Sequence, residues 1–177
     1  MFMFGDPEGL SIEDPRVAPD YTNTPNPWGE NGLIGMDKPY QGTIITGTKY
    51  GPVRVTIEEH DTAPPVELSD WTDVVEVGLE VVAGRVYFTN WDGAPFHNID
   101  AEPGPYRLRA HARGRDEGDR RQYELTMDDA PVEEHLIQFF PGEGGEVVHK
   151  TQDNTGGYLR GDIVVDTRPP GREQRLQ

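Results

Sequence analysis

Cysteine is absent from this chain of 177 residues, serine occurs only at Ser11 and Ser69, and lysine only at Lys38, Lys49 and Lys150. Without cysteine there is no disulfide framework, no thiolate zinc site and no cysteine nucleophile. The same absence fits a reducing compartment. Neither serine stands in a G-x-S-x-G elbow, and Ser69 in LSDW reads as a turn or cap residue. The one glycine-rich candidate for a phosphate loop, GEGG, lacks the Lys-Ser/Thr that would follow it. No apolar run approaches a membrane span. The start, MFMFGDPEGL, has neither the basic region nor the apolar core of a signal peptide. The sequence therefore predicts a soluble, cytoplasmic protein that is not membrane-bound.

Acid is what the chain has in excess: 32 Asp and Glu against 16 Lys and Arg, for a formal net charge of -16. Nucleic acid binds through phosphate neutralisation by Lys and Arg, so this balance speaks against direct nucleic-acid binding. The acid falls in two tracts free of Lys and Arg, residues 55–84 and 122–149. Such a surface keeps a protein in solution, and it also raises the encounter rate with a basic partner. The first tract supplies the candidate partner-binding residues Glu58, Glu59, Asp61, Asp70, Asp73, Glu76 and Glu80, with Trp71 as an aromatic anchor within it.

The 21 glycines and 16 prolines are spread along the chain and predict many short elements joined by turns. Residues 1–40, dense in Pro, Asn and Gly, read as an irregular arm in which Tyr21, Trp28 and Leu33 could pack. Residues 41–167 read as one β domain, and 168–177 as a loose tail. Within the domain the apolar period is two: Val53, Val55 and Ile57 alternate with Arg54, Thr56 and Glu58, and Val75, Val77, Leu79 and Val81 alternate with Glu76, Gly78 and Glu80. Ala83-Gly84 predicts a tight turn into Arg85–Trp91, and further strands are expected at Tyr106–Arg113, 122–127, 134–140, 145–150 and 158–166. The expected fold is all-β, an antiparallel sandwich or jelly-roll-like barrel without an amphipathic helix.

Six of the arginines crowd into YRLRAHARGRDEGDRR, residues 106–121. On a strand, Arg107, Arg109, His111 and Arg113 form one row about 7 Å apart. Two roles suit the row. It can be the counter-charge of a neighbouring acidic strand carrying Glu76 and Glu80, or an anion site made of Arg107, Arg109 and Arg113. The turn GRDEGDRR reads as an exposed loop. The five histidines (His60, His97, His111, His135, His149) make no HxH or HxxxH pair, so local spacing builds no metal chelate and no cofactor is expected. The segment PGEGGEVVHKTQDN is similar to the second half of a cupin motif whose first half is missing. Trp91 in the WDG turn is a candidate ligand contact, as in a small-ligand or sugar-binding module. A structural subunit that exchanges its N-terminal arm is a further reading.

The segments APPVELSDWTDVVEVGLEVVAGRVYF (63–88) and PGPYRLRAH (103–111) resemble the competence protein J family. The resemblance rests on Pro64-Pro65, the block Asp70-Trp71-Thr72-Asp73, Gly84 opening an apolar strand, and Gly104-x-Tyr106. It implies a small acidic all-β inhibitor that binds a basic DNA-entry nuclease. The N-terminal arm and the arginine-rich strand depart from the family. Charge and resemblance together lead to a non-enzymatic protein that binds and inhibits a partner, a nuclease or nuclease toxin.

Overall fold

The computed structural model describes residues 1–6 and 30–162, without the Tyr158 side chain. Two five-stranded sheets pack face to face as a β-sandwich. The first contains β1 (Phe2–Gly5), β2 (Ile34–Lys38), β3 (Gln41–Ile44), β6 (Arg85–Asn90) and β7 (Pro95–Asp100), in the order β2-β3-β1-β6-β7. The second contains β4 (Val53–Glu59), β5 (Asp73–Val81), β8 (Gly104–Arg113), β9 (Glu133–Pro141) and β10 (Val147–Lys150), in the order β10-β5-β8-β9-β4. Pairing is antiparallel except between β4 and β9, which run parallel from Val53↔Glu133 to Glu59↔Phe139.

The alternation in β5 and β8 decides which face is dry. Val75, Val77, Leu79 and Val81 of β5, with Leu108, Ala110 and Ala112 of β8, are buried against Phe2, Phe4, Ile44, Val86, Phe88 and Ile99 of the first sheet. Burying a side chain of this size contributes roughly 1.5–3 kcal/mol, so the two facing rows account for much of the fold's stability.

Several expectations are corrected. The segment read as an irregular arm contains β1 and β2, and β1 is central in its sheet, between β3 and β6. Its sequence, Phe-Met-Phe-Gly, alternates in burial but not in polarity, so period-two reading had nothing to detect. Residues 122–127, expected as a strand, form turns in which only Leu125 is buried. Residues 157–160 form a short helix, α2 (Gly157–Arg160), where a strand was expected to begin. β7 was not foreseen because only Ile99 of its six residues is buried.

The supposed loop GRDEGDRR holds a helix, α1 (Arg115–Arg121). Gly114 starts it at φ 77°, and a Cβ there would stand 2.1 Å from the Val132 carbonyl oxygen, so glycine is required. Glu117 pairs with Arg120 and Arg121 along the exposed side. Tyr21, Trp28, Ser11, residues 163–166 and the tail 168–177 lie outside the described residues. Among the described residues, no helix is long and apolar enough to cross a membrane.

A candidate protein-interaction surface on the second sheet

The face of the second sheet turned away from the core is charged, and most of it is nevertheless buried. Arg107, Arg109, His111 and Arg113 project there from β8, and the register sets Glu76 of β5 opposite Arg109. Glu76 accepts from Arg107 Nε and Arg109 Nε, one on each carboxylate oxygen, both at 2.7 Å. Burial pushes the Glu76 pKa up, but the hydrogen bonds from Arg109 and Arg107 outweigh it and hold the carboxyl below its usual value. The arginine row is therefore counter-charge for most of its length. An anion entering at Arg107 or Arg109 would have to displace Glu76.

The row also supports what lies above it. The chain leaves β4 at the sheet edge and crosses β9 and β8 to reach β5, so residues 60–72 form a strap over the charged face. At its start His60 N–H donates to the Phe139 carbonyl at 2.9 Å. At its middle Arg109 Nη1 donates to the Pro64 carbonyl at 2.9 Å. At its end Lys150 Nζ donates to the carbonyls of Leu68 (3.0 Å) and Trp71 (2.5 Å). Two prolines give the strap no N–H to satisfy where Arg109 grips it. The outermost side chains on this strap are Asp61, Val66, Glu67, Leu68 and Asp70, all exposed. Among the described residues, Asp61, Glu67 and Asp70 take part in no ion pair. Glu67 instead accepts from Ser69 N–H and Oγ, hydrogen bonds that lower its pKa.

The structure sorts the sequence candidates into three groups. Asp61, Asp70 and the partly exposed Glu58 lie on this face, Glu58 receiving Gln138 Nε2 at 3.0 Å. Its pKa is lowered, chiefly by that bond. Glu59 is exposed at the end of β4 but alternates to the other side of the strand from Glu58. Glu80 is exposed opposite Pro105, roughly 23 Å along β5 from Asp73 by strand rise, and does not join the strap. Asp73 and Glu76 are buried and engaged inside the protein, Asp73 by Arg115 and Glu76 by the arginine row, so neither is available as a contact in this structure.

Trp71, the candidate aromatic anchor, is a half-buried lid on the charged face. Its ring lies 5.5 Å from that of His111, with the Arg113 guanidinium 5.0 Å from its centroid. Arg113 itself is partly exposed and pairs with Glu134 at 2.6 Å. Sequence reasoning missed Glu67, Val66 and Leu68 as surface determinants. Their exposure follows from the strap's path, for which the Pro64-Pro65 pair was the available signal. It also missed Arg115, hidden in an apparently polar turn.

One further cluster bears on chemistry. Glu133, wholly buried, accepts from the Gly47 and Thr48 N–H groups and pairs with His135 Nε2 at 2.7 Å. Burial raises its pKa, and the His135 and Thr48 hydrogen bonds more than reverse that. Among the described residues, no group of three or more His, Asp or Glu is placed to hold a metal ion.

No protein-family model matches this chain, and comparison with curated proteins gives no match. Among solved structures, it is similar to the protein described as "Crocagin biosynthetic gene J", at 18% identity over 50% of this chain, with a TM-score of 0.35. The match spans 60% of that protein's length. It is also similar to ComJ from Bacillus subtilis, described as an inhibitor of the DNA degrading activity of NucA. There the identity is 12% over 80% of this chain and 87% of ComJ, with a TM-score of 0.42.

Proposed function

We propose that this protein is a non-enzymatic acidic β-sandwich that binds a basic protein through the strap at residues 60–72, and that the partner is a nuclease held inactive in the complex. The observation that carries the reading is the strap itself. Its exposed carboxylates Asp61, Glu67 and Asp70 lack cationic partners among the described residues, while the cations beneath it are turned inward to hold its carbonyls. A preformed anionic ridge of this kind avoids the entropy of ordering a loop on binding. Val66 and Leu68, exposed between the acids, add apolar contact area. A nuclease suits the ridge because its cleft must be cationic to hold phosphate, and carboxylates on a fixed backbone can occupy it. The resemblance of residues 63–88 to an inhibitor family points to the same partner class.

The test is stopped-flow association with purified basic nucleases at low and high salt, with nuclease activity measured alongside. Association with the cognate enzyme should be fast, should slow steeply as salt is added, and should abolish DNA cleavage. The triple variant Asp61→Asn, Glu67→Gln, Asp70→Asn should slow association by about tenfold or more with its melt unchanged. Binding that ignores salt, or a nuclease that stays active when saturated, overturns the reading.

A further inference from the structure

Among the described residues, the most exposed large apolar side chains lie in connections at one end of the sandwich. Trp91 is 74% exposed in the β6–β7 turn, Met127 76% exposed in the connection from α1 to β9, and Tyr50 59% exposed in the β3–β4 connection. Together with Lys49, Asn90 and Asp92 they line a groove of about 570 Å³. Tyr123, also exposed, leans on Tyr50 with ring centroids 6.3 Å apart, which extends the aromatic wall. The groove draws on connections from both sheets, and the base beneath it is stiff. Thr48 N–H is fixed by buried Glu133, and the Trp91 turn is closed by Gly93 N–H to the Asn90 carbonyl and by Ala94 N–H to Asp92 Oδ1.

Large exposed rings on a rigid base are what interface hot spots are made of, since Trp and Tyr offer contact area with little entropy to lose. The rim decides the occupant. Asp92 lines the groove and exposed Asp128 and Asp129 follow Met127 directly; among the described residues the cations in the lining are Lys49 and the Met1 amino group, which is engaged with Thr46 Oγ1. Asp129 is fixed by Thr126 N–H and Oγ1, at 2.7 and 2.8 Å. Aromatic faces and carboxylates share one preference: both attract guanidinium and ammonium groups, the rings through their quadrupoles. From this arrangement we infer that the groove is a second binding site, taking an extended arginine- or lysine-rich segment of a partner protein. Arginine side chains stack on Trp91 and Tyr50 while Asp92 and Asp128 receive their N–H groups. The inference stands on the groove's own geometry and does not need the partner to be a nuclease.

The test is titration of the full chain, followed by backbone amide NMR, with a capped octapeptide alternating arginine and glycine. The control peptide carries glutamate for arginine, and a neutral hexasaccharide is the third probe. The arginine peptide should shift amides at residues 46–53, 90–93 and 125–127. Trp91→Ala, which removes an exposed side chain and leaves the melt unchanged, should weaken it about tenfold, and Asp92→Asn with Asp128→Asn should do so by a smaller factor. The variant neutralised at Asp61, Glu67 and Asp70 should keep the groove shifts, so failure of the strap reading and failure of this one are told apart. Shifts confined to residues 60–72, affinity indifferent to Trp91→Ala, or shifts produced by the hexasaccharide and not by the arginine peptide would each overturn the inference.

Discussion

Asp73 and Arg115 form an ion pair in which neither side chain is exposed, although 42 residues separate them. Arg115 also donates to the Gly32 carbonyl at 2.8 Å, and Asp73 Oδ1 receives Gln152 N–H at 2.6 Å. The pair thus joins the second sheet, the start of α1, the entry to β2 and the segment after β10. Breaking one partner of a buried pair strands the other charge, which costs about 3–5 kcal/mol. Asp73→Asn is accordingly expected to lower stability by that amount in a denaturant titration. Loss of partner binding in this variant should track loss of fold and nothing else.

Arg109 and Arg107 both serve Glu76, but they hold different loops. Arg109 grips the strap at Pro64, while Arg107 Nη1 donates to the Gly145 carbonyl at 2.6 Å. Arg109→Met should speed hydrogen exchange at residues 61–70 and slow association with the partner. Arg107→Met should instead speed exchange at 143–147 and leave association intact. Identical exchange patterns in the two variants would mean that the strap is not held from below.

Two buried groups give opposite responses to pH over one range. Burial lowers the His111 pKa from 6.5 to about 4, so its contribution to stability is complete above pH 6.5 and is lost as pH falls toward 4. Burial first, and repulsion by Asp73 second, raise the Asp153 pKa from 3.8 to about 6. Its contribution is complete below pH 4 and is lost as pH rises through 6. Each slope amounts to something on the order of 3 kcal/mol. In the wild type these two contributions should therefore largely cancel between pH 4 and 6.5, leaving carboxylates held below their usual range, such as Glu76 and Glu133, to set the loss of stability at the acid end. Asp153→Asn should lose stability on acidification through that range and His111→Phe should gain it, a divergence that thermal melts at three pH values would reveal.

Trp71→Ala removes a lid and not a piece of the inter-sheet core. With its ring tilted against His111 and the Arg113 guanidinium lying over it, the expected cost is about 1–3 kcal/mol, below the 3–5 typical of a core tryptophan. A cost at the upper value, measured by denaturant titration, would return Trp71 to the core.

The strands that could be read directly were β4, β5, β6, β8, β9 and, within 145–150, β10, most with apolar and polar residues in alternation or a run of buried apolar residues long enough to stand out. The opposition of Glu76 to the arginine row was legible too, because it needed only period two and neighbouring strands. β1 was hidden because Met3 and Gly5, neither of them polar, fill its outward positions, and α1 because a seven-residue helix has too few turns to show an apolar face. The parallel pairing of β4 with β9 leaves no local trace at all. For the same reason the burial of Asp73 could not be foreseen: its partner Arg115 is supplied by a distant turn, and sequence distance says nothing about which carboxylates are spent inside.

The central place of β1 has a consequence for the order in which the molecule assembles. β1 is synthesised before both of its partners, and Phe2 must wait for Asn90 before the middle of the first sheet exists. Val53 waits likewise for Glu133 before the edge of the second sheet is paired. Closing such long loops costs entropy before any contact rewards it, and topologies of this kind fold in milliseconds to seconds. Until then Phe2 and Phe4 are uncovered hydrophobic side chains, and the interval before β6 emerges is one in which they are open to aggregation.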